Sequence, residues 1–210
     1  MIIESLVVGP LEVGCYIIGC EETKQVAIID PGGDADKIAQ VIKKKGLKPV
    51  YLLGTHGHFD HIAGVYDLQQ TLECEFLISK EDSFLVENIK EQAIFFGFDT
   101  VEKPRIDRHV KDGDTIKIGN ITVKVLDTPG HTPGSVSFVI NKSIFVGDTV
   151  FQGSIGRTDL PGGSYETLIN SVKEKLFTLN DDTKLYPGHG PSTTLLDEKK
   201  YNPFLNTLVL

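Results

Sequence analysis

Basic residues are scarce in this sequence, and no apolar run is long. The 210 residues include 21 Lys and Arg against 29 Asp and Glu, which gives a formal net charge of -8. Phosphate backbones and anionic lipids attract clustered basic side chains, so we expect neither nucleic acid nor a membrane surface as a partner. The N-terminal stretch MIIESLVVGPLEVG is interrupted by Glu4 and has no basic region ahead of an apolar one. We therefore expect a cytoplasmic protein without a signal peptide or a membrane-spanning segment.

Cysteine is also scarce. Cys15, Cys20 and Cys74 form an odd set without CxxC spacing, which argues against a disulfide framework and predicts buried free thiols. The glycine-rich segment TVFQGSIGRTDLPGG, at 149–163, lacks the pattern GxxxxGK(S/T). A phosphate-binding P-loop is therefore disfavoured there.

Regular apolar patterns fill most of the chain. With 40% hydrophobic and 24% charged residues, the composition is that of a globular protein, and we predict one domain over residues 1–210. Ten Val- and Ile-rich runs bounded by Gly, Pro or Asp predict strands at 2–8, 14–19, 25–30, 50–54, 75–79, 115–119, 121–127, 135–140, 143–147 and 184–188. So many strands predict two packed sheets rather than one.

Helical periodicity separates these strands. It predicts helices at 34–46, 62–72, 80–96, 164–177 and 192–201, the first beginning at Asp34 and ending at Gly46 and the fourth capped by Ser164. Mixed sheets flanked by helices give an α/β layered architecture. Segments 97–114 and 149–163 show no strong periodicity, and we interpret the second as a loop of the length that often carries function.

Histidine and aspartate collect at strand ends. The stretch THGHFDH follows the apolar run PVYLLG, and three further turns after strand-like runs carry the same residue types. If these strands point the same way, one rim of the sheets receives seven candidate metal ligands: His56, His58, Asp60, His61, His131, Asp148 and His189. His109 lies in no such context, and we predict an ordinary surface histidine.

These donors favour a transition metal. Imidazole nitrogen and carboxylate oxygen together suit zinc, iron or manganese, and zinc is the metal we expect first. A set this rich has room for two ions about 3.5–4 Å apart, with one carboxylate bridging them. Gly57, between His56 and His58, would let the backbone pack close to the metal.

The motifs resemble those of a known family. HGHFDH has the HxHxDH signature of the metallo-β-lactamase fold superfamily, and GHTPGS, GDTVFQGSIGRTD and YPGHGPST look like its later motifs in the expected order. Within it, the chain most resembles short hydroxyacylglutathione hydrolases, or type II glyoxalases, from about residue 1 to the NPF at 202–204. The resemblance implies a four-layer αββα sandwich, two mixed sheets flanked by helices, with a dinuclear site at one edge. It also implies a ligand set: a first metal on His56, His58 and His131, a second on Asp60, His61 and His189, and Asp148 as the bridge.

The implied activity is hydrolysis of a thioester. A water shared by two divalent ions loses a proton near neutral pH, and Asp60 would orient the resulting hydroxide as well as bind metal. A thiol of pKa roughly 8.5 leaves without a dedicated acid. The resemblance also points to Asp30 as a hydrogen-bonding support, although a turn formed with Pro31 and Gly32 explains that residue equally well. Arg157 is the candidate for an anionic substrate group, with a solvated loop arginine as the alternative.

The substrate stays open at this stage. Full-length type II glyoxalases carry basic glutathione-binding residues in a C-terminal helical segment, and the sequence up to Leu210 has no counterpart. S-lactoylglutathione, another acyl thioester or a bacillithiol adduct would each suit the centre. A mononuclear iron persulfide dioxygenase of the same fold is the nearest alternative, which the GRTD segment favours. A lactonase, a β-lactamase and a metal-binding module without turnover are further ones.

Overall fold

The computed structural model describes residues 1–99 and 101–206, so Thr100 and residues 207–210 of the predicted domain lie outside it. The strands are β1 (Ile2–Val8), β2 (Val13–Gly19), β3 (Gln25–Ile29), β4 (Lys48–Leu53), β5 (Glu75–Ser79), β6 (Arg108–Val110), β7 (Thr115–Ile118), β8 (Ile121–Asp127), β9 (Val136–Ile140), β10 (Ser143–Gly147), β11 (Val150–Phe151), β12 (Ser154–Ile155), β13 (Lys184–Pro187) and β14 (Thr193–Thr194). The α-helices are α1 (Ala35–Lys45), α2 (Phe59–Ile62), α3 (Val65–Leu72), α4 (Ser83–Glu87), α5 (Ile89–Phe95), α6 (Tyr165–Ser171) and α7 (Leu195–Tyr201).

Two mixed six-stranded sheets form the centre of the molecule. The first has the order β1-β2-β3-β4-β5-β6 and the second the order β14-β13-β10-β9-β8-β7. In the first sheet, β3 to β6 run parallel to one another. In the second, β8, β10 and β13 share one direction, because β9 is antiparallel to both β8 and β10 while β13 is parallel to β10. Several strands of each sheet therefore end at a common edge.

Side-chain alternation along the strands builds three apolar layers. In β5, Phe76 and Ile78 face a core shared with α1, α3 and α5, while Leu77 faces the other sheet. In β10, Phe145 packs between the sheets and Ile144 contacts a third core with α6 and α7. Because successive residues of a strand point to opposite faces, strands that are apolar throughout can be covered on both sides. Helices outside two stacked sheets make the predicted four-layer αββα sandwich, and the fold prediction is confirmed.

The ten predicted strands are all present within a residue or two of their expected bounds. Four further strands, β6, β11, β12 and β14, were not predicted, because they have two or three residues each and are too short for a periodic signal. Two of these form a small hairpin, β11 with β12, so the predicted loop 149–163 is partly regular. The other irregular segment, 97–114, contains β6 and also includes Thr100, which lies outside the described residues.

The predicted helices are shorter or interrupted. Segment 80–96 consists of a 3-10 turn, Lys80–Asp82, followed by α4 and α5 with a break at Asn88. Segment 164–177 begins as α6, with the Ser164 hydroxyl accepting a hydrogen bond from the Thr167 N–H, and continues as a π-helical turn at Val172–Leu176. Among the described residues, none of the helices has the length and apolar character needed to cross a membrane.

Candidate metal centre

The shared edge of the two sheets gathers the predicted ligands. His131, Asp148 and His189 follow β8, β10 and β13, the three strands that run in one direction. His56 follows β4 of the other sheet, and the adjoining turn places Asp60 and His61 in the single turn of α2. Backbone hydrogen bonds join the sheets here, from the Val136 N–H to the Thr55 carbonyl at 2.8 Å and from the Gly14 N–H to the Gly188 carbonyl at 2.7 Å. Strand direction thus brings together residues far apart in sequence.

His56, His58 and His131 form a first group. One nitrogen of each ring lies within 4.8 Å of the others. The Nδ1 atom of His58 and the Nε2 atom of His131 are 3.0 Å apart, and both rings are almost fully buried. Three imidazole nitrogens directed at one point are a ligand arrangement that suits zinc or iron.

Asp60, His61 and His189 form a second group with the same spacing limit of 4.8 Å. The Oδ2 atom of Asp60 lies 3.4 Å from the Nε2 atom of His189 and 3.7 Å from that of His61. This group combines a carboxylate with two imidazoles, which also suits a divalent transition metal.

Asp148 lies between the two groups. Its Oδ1 atom is 3.4 Å from Nε2 of His61, and its Oδ2 atom is 3.6 Å from Nε2 of His131 and 3.8 Å from Nε2 of His189. Gly188 leaves this space open, because a Cβ atom there would lie 2.2 Å from Oδ1 of Asp148. One carboxylate thus faces both groups, the position that a bridging ligand requires.

Buried atoms without partners test whether metal ions fit here. The Nε2 atoms of His56 and His61 and the Oδ1 atom of Asp148 are buried and make no hydrogen bond. Leaving such atoms unpaired costs roughly 1–3 kcal/mol each, so buried polar atoms normally have partners. Cations bound between the rings would satisfy all three, and the donor set therefore fits a dinuclear metal site.

The opposite ring nitrogens are held by hydrogen bonds. Nδ1 of His61 donates to Oδ2 of Asp30 at 2.9 Å, and Nδ1 of His131 donates to the Arg157 carbonyl at 2.8 Å. The Thr55 hydroxyl gives its one proton to Asp30, so it accepts from Nδ1 of His56 at 3.1 Å. Each of these bonds places the ring proton on Nδ1 and turns the lone pair of Nε2 towards the centre.

Asp30 fills both roles that the sequence allowed. Besides His61, its carboxylate accepts the Thr55 N–H at 2.7 Å and the Thr55 hydroxyl at 2.6 Å, and the side chain is buried. Its own carbonyl accepts a hydrogen bond from the Gly32 N–H, as in a tight turn. The prediction of a hydrogen-bonding support is confirmed, and Thr55 belongs to the same network.

The surroundings shift the imidazole pKa values in opposite directions. Burial, followed by the neighbouring imidazole His131, lowers the pKa of His58 to about 3, and burial lowers the pKa of His56 well below its ordinary value. Burial also acts to lower the pKa of His61, but the carboxylates of Asp148 and Asp60 outweigh it and raise that pKa well above its ordinary value. In the metal-free protein, His61 therefore favours its protonated form, whereas His56 and His58 stay neutral and able to bind a cation.

Asp82 supports the site, and the sequence analysis missed it. This fully buried carboxylate accepts hydrogen bonds from the Gly57 N–H at 2.8 Å, the Thr132 hydroxyl at 2.7 Å and the Gly134 N–H at 2.7 Å. It therefore ties the turn that carries His56 and His58 to the turn that carries His131. Asp82 follows β5, so the same strand-end rule that singled out the ligands could have found it.

Gly57 allows a close contact with the segment around Asp82. A Cβ atom at this position would lie 2.7 Å from Cβ of Leu85 and 3.0 Å from the Asp82 carbonyl. The open side of this glycine thus faces α4 and the turn before it, and the expectation that its backbone packs close to a metal stays a prediction. The close approach lets Asp82 reach the Gly57 N–H.

A cavity of about 540 Å³ opens over the ligands. Arg157 lies on its wall, but Nε and one terminal nitrogen of its guanidinium each contact the Asp159 carboxylate at 2.8 Å. A role for Arg157 in binding an anion stays a prediction. The sequence analysis did not identify the apolar part of this wall, which includes Phe96 and Phe151.

Two predictions about residues outside the site are confirmed. His109 lies exposed in β6, away from the two groups of donors. Cys15, Cys20 and Cys74 are all buried and free.

Comparison with known proteins finds relatives of the same superfamily as the one that the motifs resemble. The model of the metallo-beta-lactamase superfamily matches residues 8–189. The chain is 43% identical to the hydroxyacylglutathione hydrolase GloC of Haemophilus influenzae, covering 99% of each chain. It is 35% identical to the human mitochondrial persulfide dioxygenase ETHE1, covering 90% of this chain and 70% of that one.

A solved structure agrees in fold. The crystal structure of TTHA1623 in a di-iron-bound form superposes with a TM-score of 0.89 at 36% identity, covering 96% of this chain and 100% of that one. The family model spans most of the chain, and the two packed sheets with their edge of His and Asp residues agree with it. The chain therefore belongs to the metallo-β-lactamase superfamily.

Proposed function

We propose that this protein is a dinuclear metal-dependent hydrolase of thioesters. The observation that carries the proposal is the position of Asp148, between two groups of imidazoles whose inward nitrogens include buried atoms without partners. In this proposal His56, His58 and His131 bind one ion, Asp60, His61 and His189 bind the other, and Asp148 binds both. The hydroxyacylglutathione hydrolase GloC, 43% identical over nearly the whole chain, supports thioesters as the substrate class.

When bound, two divalent cations lower the pKa of a coordinated water and polarise a carbonyl oxygen. The chain's own residues prepare the site for this. Asp60 lies on the cavity wall with its Oδ2 atom near His189, where it can accept a hydrogen bond from a water or hydroxide and orient it towards a bound carbonyl. Asp30 and the Arg157 carbonyl hold His61 and His131 in the required tautomer. A thiolate leaving group needs no further acid, and this favours thioesters over amides.

Metal content and thioester hydrolysis test this proposal together. Protein reconstituted separately with zinc, iron and manganese is analysed for bound metal and assayed with acyl thioesters, including S-lactoylglutathione. We expect two ions per chain, and we expect His58→Ala to lose one ion and to lower kcat by about 100-fold or more. His109→Ala is the matched control, because His109 is exposed and outside the site. Binding of two ions without turnover of any thioester would leave a metal-binding module as the better description.

Persulfide oxidation is the second candidate. The observation in its favour is the 35% identity to a persulfide dioxygenase. The same preparations separate the two functions, because the dioxygenase reading requires a single iron per chain and oxygen consumption with glutathione persulfide. Two ions and hydrolysis in the absence of oxygen would exclude it.

A further inference from the structure

We propose that the site selects thioesters with an apolar acyl group and an uncharged thiol over glutathione thioesters. This inference rests on the proposed thioester hydrolase function and concerns the wall of the same cavity. It is carried by the side chains around the ligands, by a second apolar cavity beside them and by the pairing of Arg157.

The wall of the cavity over the ligands is apolar apart from the donors themselves, Ser154 and Arg157. Its volume of about 540 Å³ is in the range of sites for small organic ligands. Six apolar side chains line it: Leu11, Phe59, Phe96, Phe151, Ile155 and Leu160. An acyl chain of several carbons placed here would leave water for hydrocarbon surroundings, which favours binding by about fourfold for each buried CH₂.

A second cavity extends this surface. Its volume is about 250 Å³, and it shares Leu11, Phe59 and Asp60 with the first. Pro10, Ala63, Phe98 and Val101 complete its apolar wall, and Asp99 adds a negative charge. The two cavities therefore flank Asp60 and leave apolar room on both sides of it.

Partly exposed apolar side chains lie at the opening of these cavities. Phe96 is 40% exposed although its ring stacks on that of Phe59 at 5.7 Å, and Leu11 is 38% exposed. Neighbouring large apolar side chains that remain in water commonly mark a binding surface. A substrate that covers these side chains with an apolar group removes apolar surface from water. A charged group in the same place would not provide this gain.

Apart from the proposed metal centre itself, the charged side chains around the cavities disfavour an anionic thiol. Among the described residues that line them, Arg157 is the one cationic Lys or Arg side chain, and its guanidinium is already paired with Asp159 through two contacts of 2.8 Å. Glutathione carries two carboxylates and one ammonium group at neutral pH. Binding its carboxylates to Arg157 would require the Asp159 pair to break, and Asp99 would repel them on the other side.

Four thioesters separate the two parts of this proposal. They combine an acetyl or a hexanoyl group with either N-acetylcysteamine, a neutral thiol, or glutathione. With the metal-loaded protein we expect kcat/KM for the hexanoyl ester of N-acetylcysteamine to exceed that of the acetyl ester by at least about tenfold. We also expect kcat/KM for the hexanoyl ester of N-acetylcysteamine to exceed kcat/KM for hexanoylglutathione. Equal rates for the two acyl groups, or a preference for glutathione, would overturn the proposal while leaving thioester hydrolysis in place.

Variants connect the preference to the wall. Phe96→Ala and Phe151→Ala are expected to lower the hexanoyl preference by about threefold to tenfold, because each removes apolar contact surface. Tyr201→Ala, which removes a 74% exposed ring outside both cavities, is the control and should keep the preference. Asp159→Asn frees Arg157, and we expect it to raise kcat/KM for hexanoylglutathione. No gain in that variant would contradict the assigned role of the Arg157 pair.

Binding gives a readout that does not depend on turnover. S-hexyl- and S-methyl-N-acetylcysteamine are thioethers that cannot be hydrolysed, and calorimetry measures their dissociation constants with the wild-type protein and with Phe96→Ala. We expect the hexyl compound to bind wild type about tenfold more tightly than the methyl compound, with a smaller ratio in Phe96→Ala. If all four thioesters are inert, the thioester hydrolase function fails, and this binding ratio alone still decides whether the cavity selects apolar groups. Equal binding of the two thioethers would overturn the inference.

Discussion

The Nδ1 atom of His61 donates a 2.9 Å hydrogen bond to the Oδ2 atom of Asp30, a residue 31 positions earlier that directly follows β3. The same carboxylate accepts two hydrogen bonds from Thr55, next to His56. Asp30 is held with a positive φ of 48°, a conformation that costs energy in a residue with a side chain. This turn places one carboxylate where it orients residues of both donor groups, His61 directly and His56 through Thr55.

Removal of the Asp30 carboxylate should therefore weaken metal binding. We expect Asp30→Ala to lower the affinity for the more weakly held ion by about 10- to 100-fold, because His61 loses the partner that fixes its ring. Competition with a chromogenic chelator measures this. Asp36→Ala, an exposed aspartate in the first turn of α1, is the matched control. Unchanged affinity in Asp30→Ala would contradict the orienting role.

Asp82 should matter for stability as well as for metal binding. Asp82→Ala leaves the N–H groups of Gly57 and Gly134 without their partner, at a cost of about 2–4 kcal/mol in the free energy of unfolding. Urea denaturation of the metal-free protein measures this cost. Chelator competition should show weaker metal binding, since the two ligand turns are no longer tied together. The neighbouring exposed residue gives the control, Glu81→Ala, and equal stability of the two variants would refute this assignment.

Gly188 should be required for the bridging position of Asp148. A Cβ atom there would lie 2.2 Å from Oδ1 of Asp148 and 2.5 Å from Cε1 of His61. We therefore expect Gly188→Ala to displace the carboxylate and to reduce the metal content from two ions to one or none. Gly190→Ala is the control in the same turn. Its Cβ would meet no atom within 4 Å, although φ is +77°, so it should lose some stability and keep both ions.

The three thiols should react with alkylating reagents at different pH values. Hydrogen bonds from the backbone and hydroxyl of Thr23 lower the pKa of Cys20 to about 7, whereas burial raises that of Cys74 to about 11 and that of Cys15 further. The thiolate is the reactive form, so labelling of Cys20 by iodoacetamide should increase as pH rises through 7. Peptide mass spectrometry after labelling at pH 6, 7 and 8 identifies the modified residue. Preferential labelling of Cys15 or Cys74 would contradict the order.

The sequence predicted the fold and the edge of His and Asp residues well because both depend on local patterns. Apolar strands covered on both faces leave continuous Val and Ile runs, and glycine-flanked histidines mark their ends. The seven strand-end donors are brought together as expected because β8, β10 and β13 run in the same direction. Their role as metal ligands remains a proposal.

Other features depend on tertiary packing and are harder to predict from local patterns. Asp82 follows a strand and lies at the start of the predicted helix 80–96, but its three donors come from turns around residues 57 and 133. The apolar wall combines Leu11, Phe96 and Phe151 from three separate segments, none of which looks like a binding motif alone. The pairing of Arg157 with Asp159 depends on the conformation of a loop, which periodicity cannot predict.

The most direct test of the proposed dinuclear centre is anomalous diffraction from crystals of the zinc-loaded protein. The account predicts two zinc peaks about 3.5–4 Å apart, one beside His56, His58 and His131, the other beside Asp60, His61 and His189, with Asp148 contacting both. A single peak, or two peaks without Asp148 between them, would contradict it.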